Sequence, residues 1–153
     1  MTGRPVIIDT DPGVDDAIAI LLALASPEFD VLGLCVVAGN VPLAATRVNA
    51  RRVCELADRP DIAVFAGCSG PLLRDQIFGK YSGESGLGGT LLPEPEMVER
   101  PEHAVEFISA TLAEAVRGER ERVTVCTLGP LTNLAVVLAQ RPELAAGIER
   151  IVA

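Results

Sequence analysis

The sequence has few aromatic residues, a single histidine, no CxxC pair and no long apolar run. Aromatic residues make up 3% of its 153 residues, although 49% of the residues are hydrophobic. A core must therefore be built mainly from Ala, Leu and Val, and this hydrophobic fraction is too high for a disordered chain. No stretch approaches the roughly 20 apolar residues that a membrane-spanning helix needs. We expect a single folded domain over 1–153 with no membrane partner.

Positive charge is also scarce. Lys and Arg number 13 against 21 Asp and Glu, which gives a formal net charge of -8. Nucleic acids bind clustered basic residues, so no nucleic-acid partner is expected. The four cysteines are widely spaced, which argues against a structural zinc site and fits reduced thiols. The N-terminal MTGRPVIID lacks the apolar segment of a signal peptide, so we expect a cytoplasmic protein.

Apolar runs that are typical of buried parallel strands alternate with segments that are typical of helices. Strands are predicted at 5–9, 31–38, 62–67, 122–129 and 148–153. Helices are predicted at 14–26, 43–57, 101–117 and 130–140, the last with Pro130 at its first position. This alternation predicts an α/β fold, a mostly parallel open sheet with helices on both faces.

Four aspartates, Asp9, Asp11, Asp15 and Asp16, lie within eight positions directly behind the first predicted strand. Ligands of open parallel sheets bind beyond the carboxyl ends of the strands, and a Pro-Gly pair turns the chain here so that the carboxylates are expected to converge. One of them could merely cap the following helix, but capping needs a single carboxylate. Because four would repel one another without a cation between them, the turn predicts a Ca²⁺ or Mg²⁺ site.

Three further turns are expected at the same edge of the sheet. Asn40 follows the second strand and is either a hydrogen-bonding partner of a polyol or of metal-bound carboxylates, or an ordinary Gly-Asn turn. The segment 68–100 has no clear periodicity and is interpreted as a long loop, either an active-site lid or a flexible surface loop. Leu128 ends the fourth strand, and its backbone carbonyl is a candidate calcium ligand. The candidate lid residues are Tyr81, Ser82 and Glu84.

The blocks DTDPGVDDAIAILLA, VVAGN, GESGLGG and LGPLTN, in this order, resemble the N-terminal half of the inosine-uridine preferring nucleoside hydrolases, which are calcium-dependent and have a Rossmann-like fold. The resemblance implies that Asp11, Asp16 and the Leu128 carbonyl bind calcium, and that Asp11 is the base that activates a calcium-bound water. It implies that Asp15 and Asn40 bind the ribose hydroxyls. The implied reaction hydrolyses purine or pyrimidine ribonucleosides to base and ribose, in a homo-oligomer that is a dimer or a tetramer.

The chain departs from the family pattern in two respects. Ser82 stands where many members have a histidine, and members are about twice as long, with a further calcium-ligating Asp, an adjacent His and a substrate-contacting Asn in the later half. The only histidine here, His103, is predicted to lie at a helix start and is not assigned to catalysis. Half a calcium shell predicts weak metal affinity and low or absent turnover. Ending at IERIVA predicts an unfilled sheet edge and uncovered apolar surface, as in a fragment or a truncated reading frame.

Two alternatives to hydrolysis stay open. A non-catalytic chain that binds calcium or ribosides predicts saturable binding without product. A phosphotransferase of the haloacid dehalogenase type would also place two aspartates, Asp9 and Asp11, at the end of the first strand. Gly13 stands where that second family has Thr or Val.

Overall fold

A five-stranded parallel sheet forms the centre of the structure, a computed structural model that describes residues 3–153. The strand order is β3-β2-β1-β4-β5, and every neighbouring pair is parallel. The carboxyl ends of all the strands therefore share one edge. The strands are β1 (Arg4–Thr10), β2 (Phe29–Val36), β3 (Val64–Ala66), β4 (Val123–Thr127) and β5 (Ile148–Val152).

Four α-helices connect the strands, as the sequence predicts. They are α1 (Val14–Ala25), α2 (Leu43–Leu56), α3 (Ala104–Val116) and α4 (Thr132–Gln140), and a short 3-10 helix (Pro142–Gly147) leads into β5. The side chain of His103 caps α3 by accepting a hydrogen bond from the Val105 N–H at 3.2 Å, which confirms its predicted place at a helix start.

The predicted position of Pro130 at the start of α4 is wrong. Leu131 is the N-cap residue of that helix, so Pro130 precedes α4 by two residues. The reason is that the N–H groups of Leu128 and Gly129 both donate to the Asp9 carbonyl, at 2.8 Å and 3.2 Å. These bonds keep the chain at the sheet edge beyond the end of β4, and the helix begins only afterwards.

Alternating residues of β1 pack into two separate cores. Ile7 lies in the core that contains Leu112 of α3 and Val137 of α4. Val6 and Ile8 lie in the core that contains buried residues of α1 and α2. Helices therefore cover both faces, which suits a parallel sheet whose strands are apolar on both sides. Each fully buried aliphatic side chain contributes about 1.5–3 kcal/mol to folding.

The sheet is less well covered beside β5. This strand pairs with β4 on one side, and no other strand within residues 3–153 pairs with its outer side. A groove of about 810 Å³ lies next to it, lined by β1, α1, β4 and β5, with Ile8, Cys126 and Val152 among its lining residues. Within residues 3–153, the outer edge of β5 therefore adjoins a groove that has apolar residues among its lining. Among the described residues, every helix is too short or too polar to cross a bilayer.

Candidate active site

The carboxyl end of β1 and the first turn of α1 hold three buried aspartates at one edge of the sheet. Asp9 is 1% exposed, Asp11 is 6% exposed and Asp16 is 4% exposed, whereas Asp15 is exposed to solvent. Asp9 is the penultimate residue of β1, and Asp11 directly follows the strand. The turn after Asp11 leads into α1, so that Asp16 faces back toward the strand end.

Asp16 caps the helix and also joins the site. Its Oδ2 accepts a hydrogen bond from the Gly13 N–H at 3.0 Å, which satisfies a free donor near the start of α1. Its Oδ1 accepts from the Thr10 hydroxyl at 2.8 Å. The Asp16 carboxylate thus caps the helix, which was the simpler interpretation of this sequence. The same carboxylate is also hydrogen-bonded to β1.

Asn40 links Asp16 to Asp11. Its backbone N–H donates to Asp11 Oδ2 at 2.6 Å, and its side-chain Nδ2 donates to the Asp11 carbonyl at 3.0 Å and to Asp16 Oδ2 at 3.2 Å. Asn40 follows β2 on the same sheet edge and is half-buried. The Gly-Asn turn therefore contacts two carboxylates of the candidate site.

Two glycines enclose the Asp11 carboxylate. A Cβ atom at Gly129 would lie 2.6 Å from Asp11 Oδ1, and a Cβ atom at Gly39 would lie closer still to Asp11 Oδ2. Neither position has room for a side chain unless the carboxylate moves. Asp11 also borders a cavity of about 160 Å³, whose wall includes Arg74 and Gln76 from the long loop.

Leu128 follows β4 directly and lies at the same edge of the sheet. Its N–H donates to the Asp9 carbonyl, and the next residue, Gly129, lies against Asp11. The structure therefore brings the three predicted calcium-binding residues, Asp11, Asp16 and Leu128, to one end of the two central strands β1 and β4.

Burial dominates the electrostatics of the site. It raises the pKa of Asp9 to about 7 and the pKa of Asp11 to about 6, against a usual value of about 3.9. The charge of Asp16 raises the pKa of Asp11 further, while the Asn40 N–H lowers it. The pKa of Asp9 is lowered by its hydrogen bond with Asn133 and raised by the charge of Asp11. A cation near these groups would offset the repulsion.

The donors fit part of a coordination shell for a hard divalent ion. Such ions bind carboxylate and carbonyl oxygens, which Asp11, Asp16 and the Leu128 backbone supply. Within residues 3–153, however, no three or more His, Cys, Asp or Glu side chains are grouped so that they could hold a metal ion. The prediction that four carboxylates converge is therefore wrong, because Asp15 faces solvent and Asp9 is engaged elsewhere.

The engagement of Asp9 involves a residue that sequence reasoning missed. Asn133, in the first turn of α4, is fully buried and donates from Nδ2 to Asp9 Oδ1 at 2.8 Å. The other carboxylate oxygen of Asp9 is buried without a hydrogen-bond partner. A second missed residue, Asn49 of α2, donates to the Pro12 carbonyl at 3.3 Å and to the Ser85 carbonyl at 2.7 Å. The only sequence signal for either residue is an amide within an otherwise apolar helix face.

The loop 68–100 contains no helix or strand. Its first part, around Arg74 and Gln76, lines the Asp11 cavity. Further along, Ser82 is buried, and its hydroxyl would lie 3.0 Å from a Cβ atom at Gly13. The other two candidate lid residues, Tyr81 and Glu84, are exposed, Tyr81 at 98%. The glycines that suggest mobility have positive φ angles, so the turns of the loop require them: Gly83, Gly86, Gly88 and Gly89.

Comparison with known proteins gives one consistent family. The sequence profile described as inosine-uridine preferring nucleoside hydrolase matches residues 6–153. The chain is 47% identical over 150 residues to the pyrimidine-specific ribonucleoside hydrolase RihA of Photobacterium profundum, a match that covers 97% of this chain and 47% of that protein. It is 49% identical over 148 residues to an uncharacterised protein of Schizosaccharomyces pombe, covering 96% of this chain and 47% of that protein. The chain thus spans about half the length of these relatives.

A solved structure with a similar fold gives the same result. The purine-preferring ribonucleoside hydrolase from Gardnerella vaginalis has a TM-score of 0.86 with this chain at 30% identity. The similarity covers 97% of this chain and 47% of that chain. The predicted α/β architecture is therefore confirmed by a solved structure as well as by the sheet itself.

Proposed function

Because this chain belongs to the inosine-uridine preferring nucleoside hydrolase family, we propose that it forms the calcium-binding and ribose-binding half of a site that hydrolyses the N-glycosidic bond of ribonucleosides. The observation that carries this proposal is the contact network in which Asn40 joins the buried carboxylates of Asp11 and Asp16. The products would be the free base and ribose. Purine and pyrimidine ribonucleosides both remain within the proposal.

Asp11, Asp16 and the Leu128 carbonyl would hold the Ca²⁺ ion. When bound, such an ion orients the attacking water and lowers its pKa. Asp16 is suited to a fixed ligand because β1, the α1 turn and Asn40 each donate a hydrogen bond to it. The two carboxylates would keep their negative charge because the cation offsets their mutual repulsion.

Asp11 is the proposed base, which accepts the proton of the attacking water. Its orientation is fixed by the Asn40 N–H on Oδ2 and by the close approach of Gly39 and Gly129. It borders the cavity, so its carboxylate can reach a molecule held there. The negative charge of the neighbouring carboxylates would also stabilise an oxocarbenium-like sugar as the nucleobase departs.

Asp15 and Asn40 are the proposed ribose ligands. Asp15 is exposed at the start of α1, where its carboxylate is free to accept hydrogen bonds from sugar hydroxyls. The cavity of about 160 Å³ is smaller than the roughly 300–1,000 Å³ of typical ligand pockets. Its size therefore suits the sugar portion of a nucleoside, and Asn40 is among its lining residues.

The test is the release of ribose from a panel of purine and pyrimidine nucleosides, with and without a calcium chelator. We expect chelation to abolish turnover and Asp11→Asn to reduce it by at least a thousandfold. Turnover that is indifferent to chelation would contradict the proposal. Asp30→Asn, at an exposed residue near the amino end of β2, is a matched control for the loss of one aspartate charge.

A second candidate function is binding of calcium or ribosides without turnover. It is favoured by the partial coordination shell that residues 3–153 supply. Saturable riboside binding with no product in the same assay would support it. The phosphotransferase alternative is disfavoured because Asp9, its required nucleophile, is 1% exposed and hydrogen-bonded to Asn133.

The remaining proposals concern the cellular setting. We propose a cytoplasmic location, which the four free cysteines support because thiols stay reduced there. We also propose a homo-oligomer, a dimer or a tetramer, as the family resemblance implies. Sedimentation velocity of the purified chain would measure the oligomeric state.

A further inference from the structure

One buried amide, the side chain of Asn133, joins four elements at the site edge. Its Nδ2 donates to Asp9 Oδ1 in β1 at 2.8 Å and lies 3.4 Å from the Val36 carbonyl, the last of β2. Its Oδ1 accepts from the Cys68 N–H at 2.8 Å, two residues beyond β3. Asn133 itself belongs to α4, and its side chain is inaccessible to solvent.

A neutral amide satisfies these partners together, because it donates from Nδ2 and accepts at Oδ1. A carboxylate at position 133 would place two acidic groups within hydrogen-bond distance of each other, with no donor for Asp9. A leucine of similar size would leave the Asp9 carboxylate and the Cys68 N–H without partners in a buried site, which is costly. The side chain at position 133 is therefore specified by the groups around it.

Asn133 acts on the candidate active site through Asp9. The Asp9 carbonyl accepts hydrogen bonds from Leu128 and Gly129, and Gly129 lies against the Asp11 carboxylate. The bond from Cys68 fixes the first residue of the long loop, whose next part lines the cavity that Asp11 borders. Asp9 thus contacts the turn after β4, and Asn133 itself contacts the start of the loop after β3.

We propose that Asn133 is a positioning residue, which holds Asp9 and the start of the 68–100 loop so that the Leu128 turn and the cavity wall are both correctly placed around Asp11. This inference rests on the proposed function for its effect on ligand binding. Asn133 does not itself contact the substrate or the metal in this proposal. It differs from a purely stabilising core residue because its replacement should displace groups of the site.

The first test compares three variants by calorimetric titration with Ca²⁺ and with ribose. Asn133→Asp places a second carboxylate against the carboxylate of Asp9. It is expected to weaken Ca²⁺ binding at least tenfold. Asp9→Asn alone keeps an acceptor for Asn133 and is expected to stay within fivefold of the wild type. The double variant Asp9→Asn/Asn133→Asp restores the bond with donor and acceptor exchanged, so it should recover most of the affinity. Failure of the double variant to recover would overturn the proposed pairing.

The second test is hydrogen exchange of the metal-free protein, which does not depend on the proposed function. Asn133→Ser removes the bonds without adding charge, and it replaces Asn133→Asp if that variant does not fold. We expect the Cys68 and Leu128 amides to exchange at least tenfold faster, relative to the core amides of β1. Val137→Ala, at a buried residue of the same helix, is the matched control for lost stability and should leave this ratio unchanged.

The outcomes separate the two proposals. If the wild type binds neither Ca²⁺ nor ribose, the proposed function fails, while the exchange ratio still decides the role of Asn133 in placing the loop and the turn. If Val137→Ala accelerates the Cys68 and Leu128 amides as much as Asn133→Ser does, Asn133 only stabilises the fold and the inference is overturned. Unchanged exchange in Asn133→Ser would overturn it as well.

Discussion

Adjacent aspartates at the start of α1 should respond very differently to substitution. Asp16 is buried and accepts hydrogen bonds from Thr10, Gly13 and Asn40, whereas Asp15 is exposed. Removing the Asp16 carboxylate should therefore destabilise the fold and abolish calcium binding. Removing the Asp15 charge should leave folding intact and weaken only the binding of ribosides.

The magnitude follows from the groups that lose their partners. Loss of the hydrogen bond to Gly13 at the helix start costs about 1 kcal/mol. A buried donor without a partner, such as the Thr10 hydroxyl, costs about 1–3 kcal/mol. Relief of the repulsion with Asp11 offsets part of this loss, so we expect Asp16→Ala to lower the free energy of unfolding by about 2–4 kcal/mol. Asp16→Asn keeps an acceptor for Gly13 and should lose only about 1 kcal/mol.

Urea unfolding in the presence of a chelator measures these differences, and calorimetric titration measures calcium affinity. Asp15→Asn is the matched control and should stay within about 0.5 kcal/mol of the wild type, as surface substitutions usually do. It should also bind calcium normally while losing affinity for ribosides. The reasoning would be refuted if Asp16→Ala were as stable as the wild type, or if the two positions were equally sensitive.

Three other predictions concern the metal, the thiols and the loop. Calcium at a hundred times its dissociation constant should raise the free energy of unfolding by about 2.7 kcal/mol, and a flat titration would contradict a calcium site. Mass spectrometry after alkylation at pH 8 should find Cys68 and Cys126 modified before Cys35 and Cys54, because both of the latter are buried and burial raises the pKa of Cys54 to about 12. Asn49→Leu should speed hydrogen exchange around Ser85 and lower stability by about 1–3 kcal/mol, since it breaks the bond that fixes this part of the loop; equal exchange would show that the bond does not anchor it.

The sequence predicted the fold well because short apolar runs alternate regularly with segments that are typical of helices. The run that contains Ile7 is buried on both sides of the sheet. A short, continuous apolar run of this kind is typical of a buried strand. β3 is shorter than predicted, since it is confined to Val64–Ala66 at an edge of the sheet. Regular pairing there is limited to β2, with only an isolated bridge between Phe65 and Arg100 on the outer side.

The candidate site was harder to predict in detail. The turn after β1 and Asn40 could be identified because strand ends in a parallel sheet meet at one edge. The roles of Asn49 and Asn133 depend on carbonyl and amide groups that are brought near them only by tertiary packing. Tertiary packing also decides which aspartates lie together. Nothing in the local sequence pattern shows that Asp9 faces α4 while Asp15 faces solvent.

The two glycines around Asp11 have a consequence for the engineering of this protein. Gly39 and Gly129 have no functional groups, yet the carboxylate lies where their side chains would be. In a saturation mutagenesis library, positions 39 and 129 should tolerate substitution as poorly as Asp11 does. Even alanine should be depleted at both positions. Computational redesign that protects only residues with reactive groups would therefore disable the protein through substitutions that look harmless.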